Sequence, residues 1–157
     1  MKNKILALVL AIATALCLCS CGIIFGKVAE EGDVTVVVEN TDGSYDVFAV
    51  DLNNVENKEE GAKGVIEYLR DRKNDKLGLE MIDSTYGAYV SQIGSISENP
   101  SEGLYVVVYT SNATDGYEGG PTVEYNGTTL HQAGVGLSGM SVDQGTIIMF
   151  RLEKSPY

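Results

Sequence analysis

The chain contains no tryptophan and a single histidine, His131, and its three cysteines, Cys17, Cys19 and Cys21, all fall near the N-terminus. A structural zinc site needs about four ligands at defined spacing, and beyond Cys21 only His131 is left to supply them. A catalytic triad would need His131 beside an activated serine or cysteine, and no nucleophile-elbow pattern occurs, so no enzymatic activity is expected. Basic residues are scarce as well: 11 Lys and Arg stand against 22 Asp and Glu, for a formal net charge of −11. Such a surface repels nucleic acid and anionic lipid headgroups, which leaves solubility as the plain role of the acidity and removes nucleic acid from the expected partners. There are no internal repeats and no low-complexity stretch. The segment "DGSYD" sets Asp42, Ser44 and Asp46 at alternate positions, as a calcium loop begins. Val47 then occupies the place of the required glycine and Asn53 that of the closing glutamate, which excludes an EF-hand. Asp42 and Asp46 remain candidates for a looser divalent-metal site, beside the simpler reading of a hairpin turn.

Long apolar runs are also lacking, with one exception. After "MKNK", which carries Lys2 and Lys4, the run Ile5–Leu18 is broken only by Thr14. A bilayer-spanning helix needs about 18 or more apolar residues, so this segment has the length of a secretion signal. Leu18, Cys19 and Ser20 precede Cys21 and Gly22 follows it. That order, an apolar residue at −3 and small ones before the cysteine, resembles the lipobox of bacterial lipoproteins. The bulky residues before Cys17 and Cys19 suit cleavage poorly. The resemblance implies a signal peptide at 1–20 and a diacylglycerol on the Cys21 thiol. Cys17 and Cys19 would leave with the signal, so no disulfide is expected. Attachment to the extracytoplasmic face of a bacterial membrane would come from the lipid, at about 0.8 kcal/mol per buried methylene, and not from charge. Residues 21–33 read as the lipidated cysteine and a tether, of which residues 22–32 reach at most ~40 Å when extended. The sequons at Asn112 and Asn126 are discounted for a bacterial chain.

Residues 34–157 read as one domain, long enough to bury a core without staples. "VTVVVEN" (34–40) and "SYDVFAVDL" (44–52) flank the turn-forming "TDG" and predict a hairpin. Ala62, Val65, Ile66 and Leu69 form an apolar stripe at helical spacing, which predicts a helix over about 58–73. Asn57 and Glu60 suggest a capping box, and Asn74 or Gly78 a stop. Gly61 and Gly64 each cost up to ~1 kcal/mol against alanine, so packing must hold this helix. Further strands are predicted at 78–84, 88–96, 103–111, 122–127 and 145–153, with turns at 98–103, 114–121, 126–127 and 143–145. The continuous apolar runs Val106 to Val108 and Ile147 to Phe150 mark strands covered on both faces. The fold class is therefore α+β, a mixed sheet with one packed helix.

The string "YGAYVSQIGSI" (86–96), an apolar strand, "VEYNG" (123–127) and "GVGLSGMSVDQGTIIMF" (134–150) is similar in order and spacing to a bacterial lipoprotein family of unknown function. That family is related to the C-terminal β-domain of transcobalamin and intrinsic factor. Tyr86, Gly87, Tyr89, Val90 and Ile93 match its first segment, Asn126 and Gly127 its turn, and Asp143 with Gly145 its closing turn, over residues 34–153. The resemblance implies a β-grasp-like fold and, by analogy, small-ligand binding. Where the family's aromatic strand carries tryptophan, this chain offers Tyr105 and Tyr109, and it has no room for the large helical domain against which the vertebrate carriers close their ligand.

Of the nine tyrosines, Tyr86, Tyr89, Tyr105, Tyr109, Tyr117 and Tyr125 all lie in the second half, and tyrosine gives a binding face large rigid area with a polar tip. The loop "NATDGYEGGP" (112–121) is longer than the two to five residues a hairpin needs. Within it Tyr117 is the candidate stacking contact, with Asp115 and Glu118 as polar or metal-binding neighbours; Tyr86 and Tyr89 are the alternative face. The expected function is a lipid-anchored, non-enzymatic small-ligand binding or adhesion module presenting the loops around 84–87, 112–121 and 128–140. Two alternatives stay open, a metal-binding lipoprotein using surface carboxylates and an accessory corrinoid-binding subunit of a membrane transporter.

Overall fold

A computed structural model describes residues 33–73 and 77–155. Cys21, the expected signal peptide, most of the tether and the helix stop at Asn74 lie outside the described residues.

The first hairpin forms as the "TDG" turn predicts. Strand β1 (Asp33–Glu39) pairs antiparallel with β2 (Tyr45–Asp51), from Asp33↔Asp51 to Glu39↔Tyr45. The last strand, β9 (Ile147–Lys154), runs parallel to β1 and antiparallel to β6 (Leu104–Thr110), so the two ends of the domain meet inside one sheet. Strand β6 pairs in turn with β8 (Thr128–Gln132), and β8 with β7 (Thr122–Tyr125), giving the order β2-β1-β9-β6-β8-β7. A second, three-stranded sheet joins β3 (Glu80–Ile82), β4 (Tyr89–Ile93) and β5 (Ile96–Ser97). One helix, α1 (Ala62–Lys73), completes the described residues. The mixed sheet and packed helix match the α+β, β-grasp-like expectation.

The helical stripe turns inward, with Ala62, Val65, Ile66 and Leu69 all buried. They join Val34, Val36, Val38, Ile148 and Phe150 from one face of the large sheet and Val90, Ile93 and Ile96 from the small one in the main core. The opposite face of the large sheet buries a smaller cluster, Val37, Tyr109, Leu130 and Met149. Both faces of β1 and β9 are therefore covered, which is why their apolar runs are continuous rather than alternating.

Four expectations need correction. The helix begins at Ala62 rather than at 58, because Gly61, at φ 62° and ψ −137°, interrupts it after a 3-10 turn at Lys58–Glu60. The capping box does not form: Asn57 makes no side-chain cap bond, and the first helical amide, Ala62 N–H, donates instead to the Met140 carbonyl at 3.1 Å. The run 88–96 is two strands, since Gly94, at φ 59°, turns the chain so that Ile93 pairs with Ile96. Residues 128–132, expected as loop, are strand β8. Asn126 and Gly127 both take positive φ, the geometry of a two-residue hairpin turn, and send the chain straight back along β7. "TTLHQ" hides that strand because Leu130 alone of its residues is fully buried.

Strands β6 and β8 share only the pairs Tyr109↔Gln132 and Thr110↔His131, so the β7–β8 hairpin diverges from β6 beyond them. It curls over the second face until Tyr125 meets Tyr45 of β2 edge-on, with ring centroids 5.4 Å apart at 73°. The outermost strands thus touch each other, and the sheet is rolled around its smaller core.

Candidate functional site

The rolled face leaves a concavity of about 560 Å³ beside the small core. Its floor comes from alternation on two paired strands. Tyr105 stands opposite Glu153 and Val107 opposite Arg151 across β6 and β9, on the same face as Tyr109. Its wall is built by Tyr117 and Pro121 from one loop and by Gln132 and Gly134 at the end of β8, with Lys154 on the other side. Backbone hydrogen bonds lock the two wall segments together: Tyr117 N–H donates to Gln132 O at 2.7 Å, Gln132 N–H to Pro121 O at 3.0 Å and Gly134 N–H to Asp115 O at 2.8 Å. Gly134 sits so close that a Cβ there would lie 3.1 Å from the Tyr117 Cα. Tyr105 is 40% exposed and Tyr117 64%, so both rings stay open to solvent.

Glu153 is held in place from beneath. The Tyr109 hydroxyl donates to its Oε1 at 2.8 Å, and Arg151 Nε lies 3.2 Å from the same oxygen and 3.4 Å from Oε2 of Glu39. The Arg151 Nε is buried, and its geometry to both carboxylates falls short of a hydrogen bond, so it acts through charge. Burial, and then the bond to Glu153, push the Tyr109 phenol from its ordinary value up to about 12. The folded state therefore favours the neutral phenol, and the stability this contributes is present below pH ~10 and lost as the pH rises towards 12. The stability difference between wild type and Tyr109→Phe is accordingly expected to shrink over that window, measured by urea unfolding at stepped pH. A constant difference would show that Tyr109 does not titrate as the buried donor to Glu153.

Of the residues singled out in the sequence, Tyr117 lines the concavity. Glu118 is exposed on the same turn. Asp115 serves the backbone, its Oδ2 accepting from Ser141 N–H at 2.7 Å. Tyr86 is 90% and Tyr89 41% exposed, on the small sheet and the loop before it, away from this recess. The 84–87 loop nevertheless touches the neighbouring segment, because a Cβ on Gly136 would lie 2.6 Å from the Tyr86 carbonyl. The loops at 84–87 and 112–121 thus both pack against residues 133–141. Their lengths have a cause the sequence does not display: β6 and β7 are separated by β8, so the 112–121 connection must cross a strand and is no hairpin loop. Tyr105, Gln132, Glu153 and Lys154 were not picked out as site residues. Alternation places Tyr105 and Glu153 on one face of their strands, but the register that makes them neighbours is not written locally.

Asp42 and Asp46 flank the first hairpin turn. Oδ1 of Asp42 accepts from the Ser44 hydroxyl at 2.6 Å and from Ser44 N–H at 2.9 Å, which hold its carboxyl below the ordinary value. Oδ2 of Asp46 accepts from Asn40 Nδ2 at 3.3 Å. Among the described residues no group of three or more His, Cys, Asp or Glu side chains is arranged to hold a metal ion.

No protein-family model matches the chain, and no curated protein matches its sequence. Solved structures do resemble it. A "putative metal binding protein" from Ruminococcus gnavus ATCC 29149 superposes with a TM-score of 0.54 at 15% identity, over 80% of this chain and 99% of that one. Haptocorrin in complex with Cbi superposes with a TM-score of 0.52 at 16% identity, over 86% of this chain. The likeness is one of fold. This chain spans only 28% of the haptocorrin chain, so the transcobalamin-like resemblance concerns one portion of that protein.

Proposed function

We propose that this chain is a membrane-anchored extracytoplasmic module that binds a small ligand, without catalysis, in the concavity between Tyr105 and Tyr117. The observation that carries the reading is the recess itself. It combines exposed aromatic rings, a carboxylate fixed by Tyr109 and Arg151, and walls tied by backbone hydrogen bonds, the preformed apolar-and-polar mixture of a ligand site. The fold neighbours support it, since one is described as metal binding and the other was solved with Cbi. No chemical step is included in this reading. A thermal-shift screen of the chain against corrinoids, glycans and metals identifies the ligand class, because a ligand at 100 times its dissociation constant adds about 2.7 kcal/mol. Tyr117→Ala is then expected to weaken binding by at least ~1 kcal/mol with little change in melting temperature. Equal affinity of the two forms, measured by calorimetry, would move the site to the Tyr86 and Tyr89 face.

A metal-binding reading draws on the first fold neighbour and on the exposed carboxylates of Asp42 and Asp46. Heat on titration with calcium or zinc that is lost in Asp42→Asn would favour it. The anchor has its own test. Cys21→Ala is expected to abolish lipidation and leave the precursor uncleaved; label from a lipid precursor that persists in the mutant, or moves to Cys19, would refute the assignment.

A further inference from the structure

We propose that the ligand of the Tyr105–Tyr117 concavity is a neutral saccharide, an inference that rests on the binding reading above and narrows it. The charges around the recess point that way. The charged residues that line the recess are Glu153 and Lys154, one of each sign, with Arg151 behind Glu153 at 3.2 Å, so the lining is formally neutral in a chain of net charge −11. A cation would have to compete with Arg151 for Glu153, and an anion would meet the Glu153 carboxylate, the exposed Glu118 next to Tyr117 and an acidic protein. A purely apolar ring would satisfy the tyrosine faces but strip water from Gln132, Glu153 and Lys154 without replacing the hydrogen bonds lost.

A pyranose ring resolves the conflict. Its axial C–H groups present an apolar, faintly positive face that packs on the negative face of an aromatic ring, and its equatorial hydroxyls offer donors and acceptors around the edge. The recess supplies both halves: Tyr105 and Tyr117 as platforms, Glu153 as an oriented acceptor, Gln132 as donor and acceptor, Lys154 as donor. Glu153 is held by Tyr109 at 2.8 Å before any ligand arrives, so it adds little ordering cost. A volume of about 560 Å³ lies inside the ordinary range of ligand sites and suits a short oligosaccharide rather than one sugar ring.

The experiment titrates the full chain with maltotriose, cellotriose and tri-N-acetylchitotriose, and with trigalacturonic acid as the anionic control, followed by saturation-transfer NMR and calorimetry. At least one neutral trisaccharide is expected to saturate, with trigalacturonic acid at least about tenfold weaker. Tyr105→Ala and Tyr117→Ala are each expected to weaken the neutral sugar by about fivefold or more, about 1 kcal/mol. Tyr105→Phe, which keeps the platform, should stay within about twofold of wild type, and circular dichroism melts establish that all three variants fold. Failure of every neutral trisaccharide to saturate, or saturation indifferent to Tyr105→Ala, overturns the saccharide assignment. If another screened ligand binds in a Tyr117-dependent manner while no sugar does, only this inference falls; if no ligand responds to Tyr117→Ala, the reading of the concavity falls with it.

Discussion

Phe150→Ala is expected to lower the unfolding free energy by about 3–5 kcal/mol, a large share of the ~5–15 kcal/mol that holds an ordinary domain folded. Phe150 is fully buried at the middle of β9, paired with Val38 on one side and Val108 on the other, in the core that α1 and the small sheet close. Its removal would leave a cavity lined by rigid strands on both flanks, where collapse is difficult. The measurement is the urea midpoint with its slope. A loss under ~1.5 kcal/mol would be the cost of a tolerated core swap, and would mean that the helical layer does not seal this face of the sheet.

The second large effect runs against helix propensity. Gly64 lies inside α1, where alanine ordinarily gains up to ~1 kcal/mol over glycine. Here a Cβ would lie 2.1 Å from the carbonyl oxygen of Asn57 and 3.0 Å from its carbon. Those are backbone atoms, unable to rotate aside, so either α1 or the turn at 57–60 must shift. Gly64→Ala is therefore expected to destabilise by about 1–3 kcal/mol, the usual cost of overpacking. A gain in stability would show that the turn before α1 yields freely. Gly61 is under a related constraint, with the Met140 carbonyl oxygen 2.2 Å from a Cβ built there and φ at +62°.

Both glycines were visible beforehand only as liabilities of a helix that packing had to hold. Gly61 packs against residues 137–140, far along the chain, and Gly64 against the turn at Asn57, and neither contact is announced by the residues around it. What was legible follows from local periodicity: the "VTVVVE" strand, its "TDG" turn, the stripe from Ala62 to Leu69, and the doubly covered run ending at Phe150. What was hidden depends on neighbours distant in sequence. Strand β8 carries one fully buried residue and is recognisable only from its pairing with β7. Tyr105 and Glu153 become a site floor through the β6–β9 register, and Tyr117 becomes its wall because the 112–121 connection crosses β8. Tyr117 could be singled out from its glycine-rich loop, yet its partners Gln132 and Lys154 sit in plain strand sequence, without any composition signal.

The parallel pairing of β1 with β9 has a mechanical consequence. Residues 1–32 join the domain at Asp33, the start of β1, whereas Glu153 and Lys154 sit at the far end of β9. Tension between that junction and an occupant of the concavity would pull the two strands past each other along their length. The register from Thr35↔Ile147 to Val38↔Phe150 would then be loaded in shear, with its hydrogen bonds strained together and not peeled apart one after another. A pull between Asp33 and the β7–β8 hairpin would load the shorter β6–β8 pairing, Tyr109↔Gln132 and Thr110↔His131. Rupture under force, which follows the unfolding rate, would thus be slow along the first direction and fast along the second.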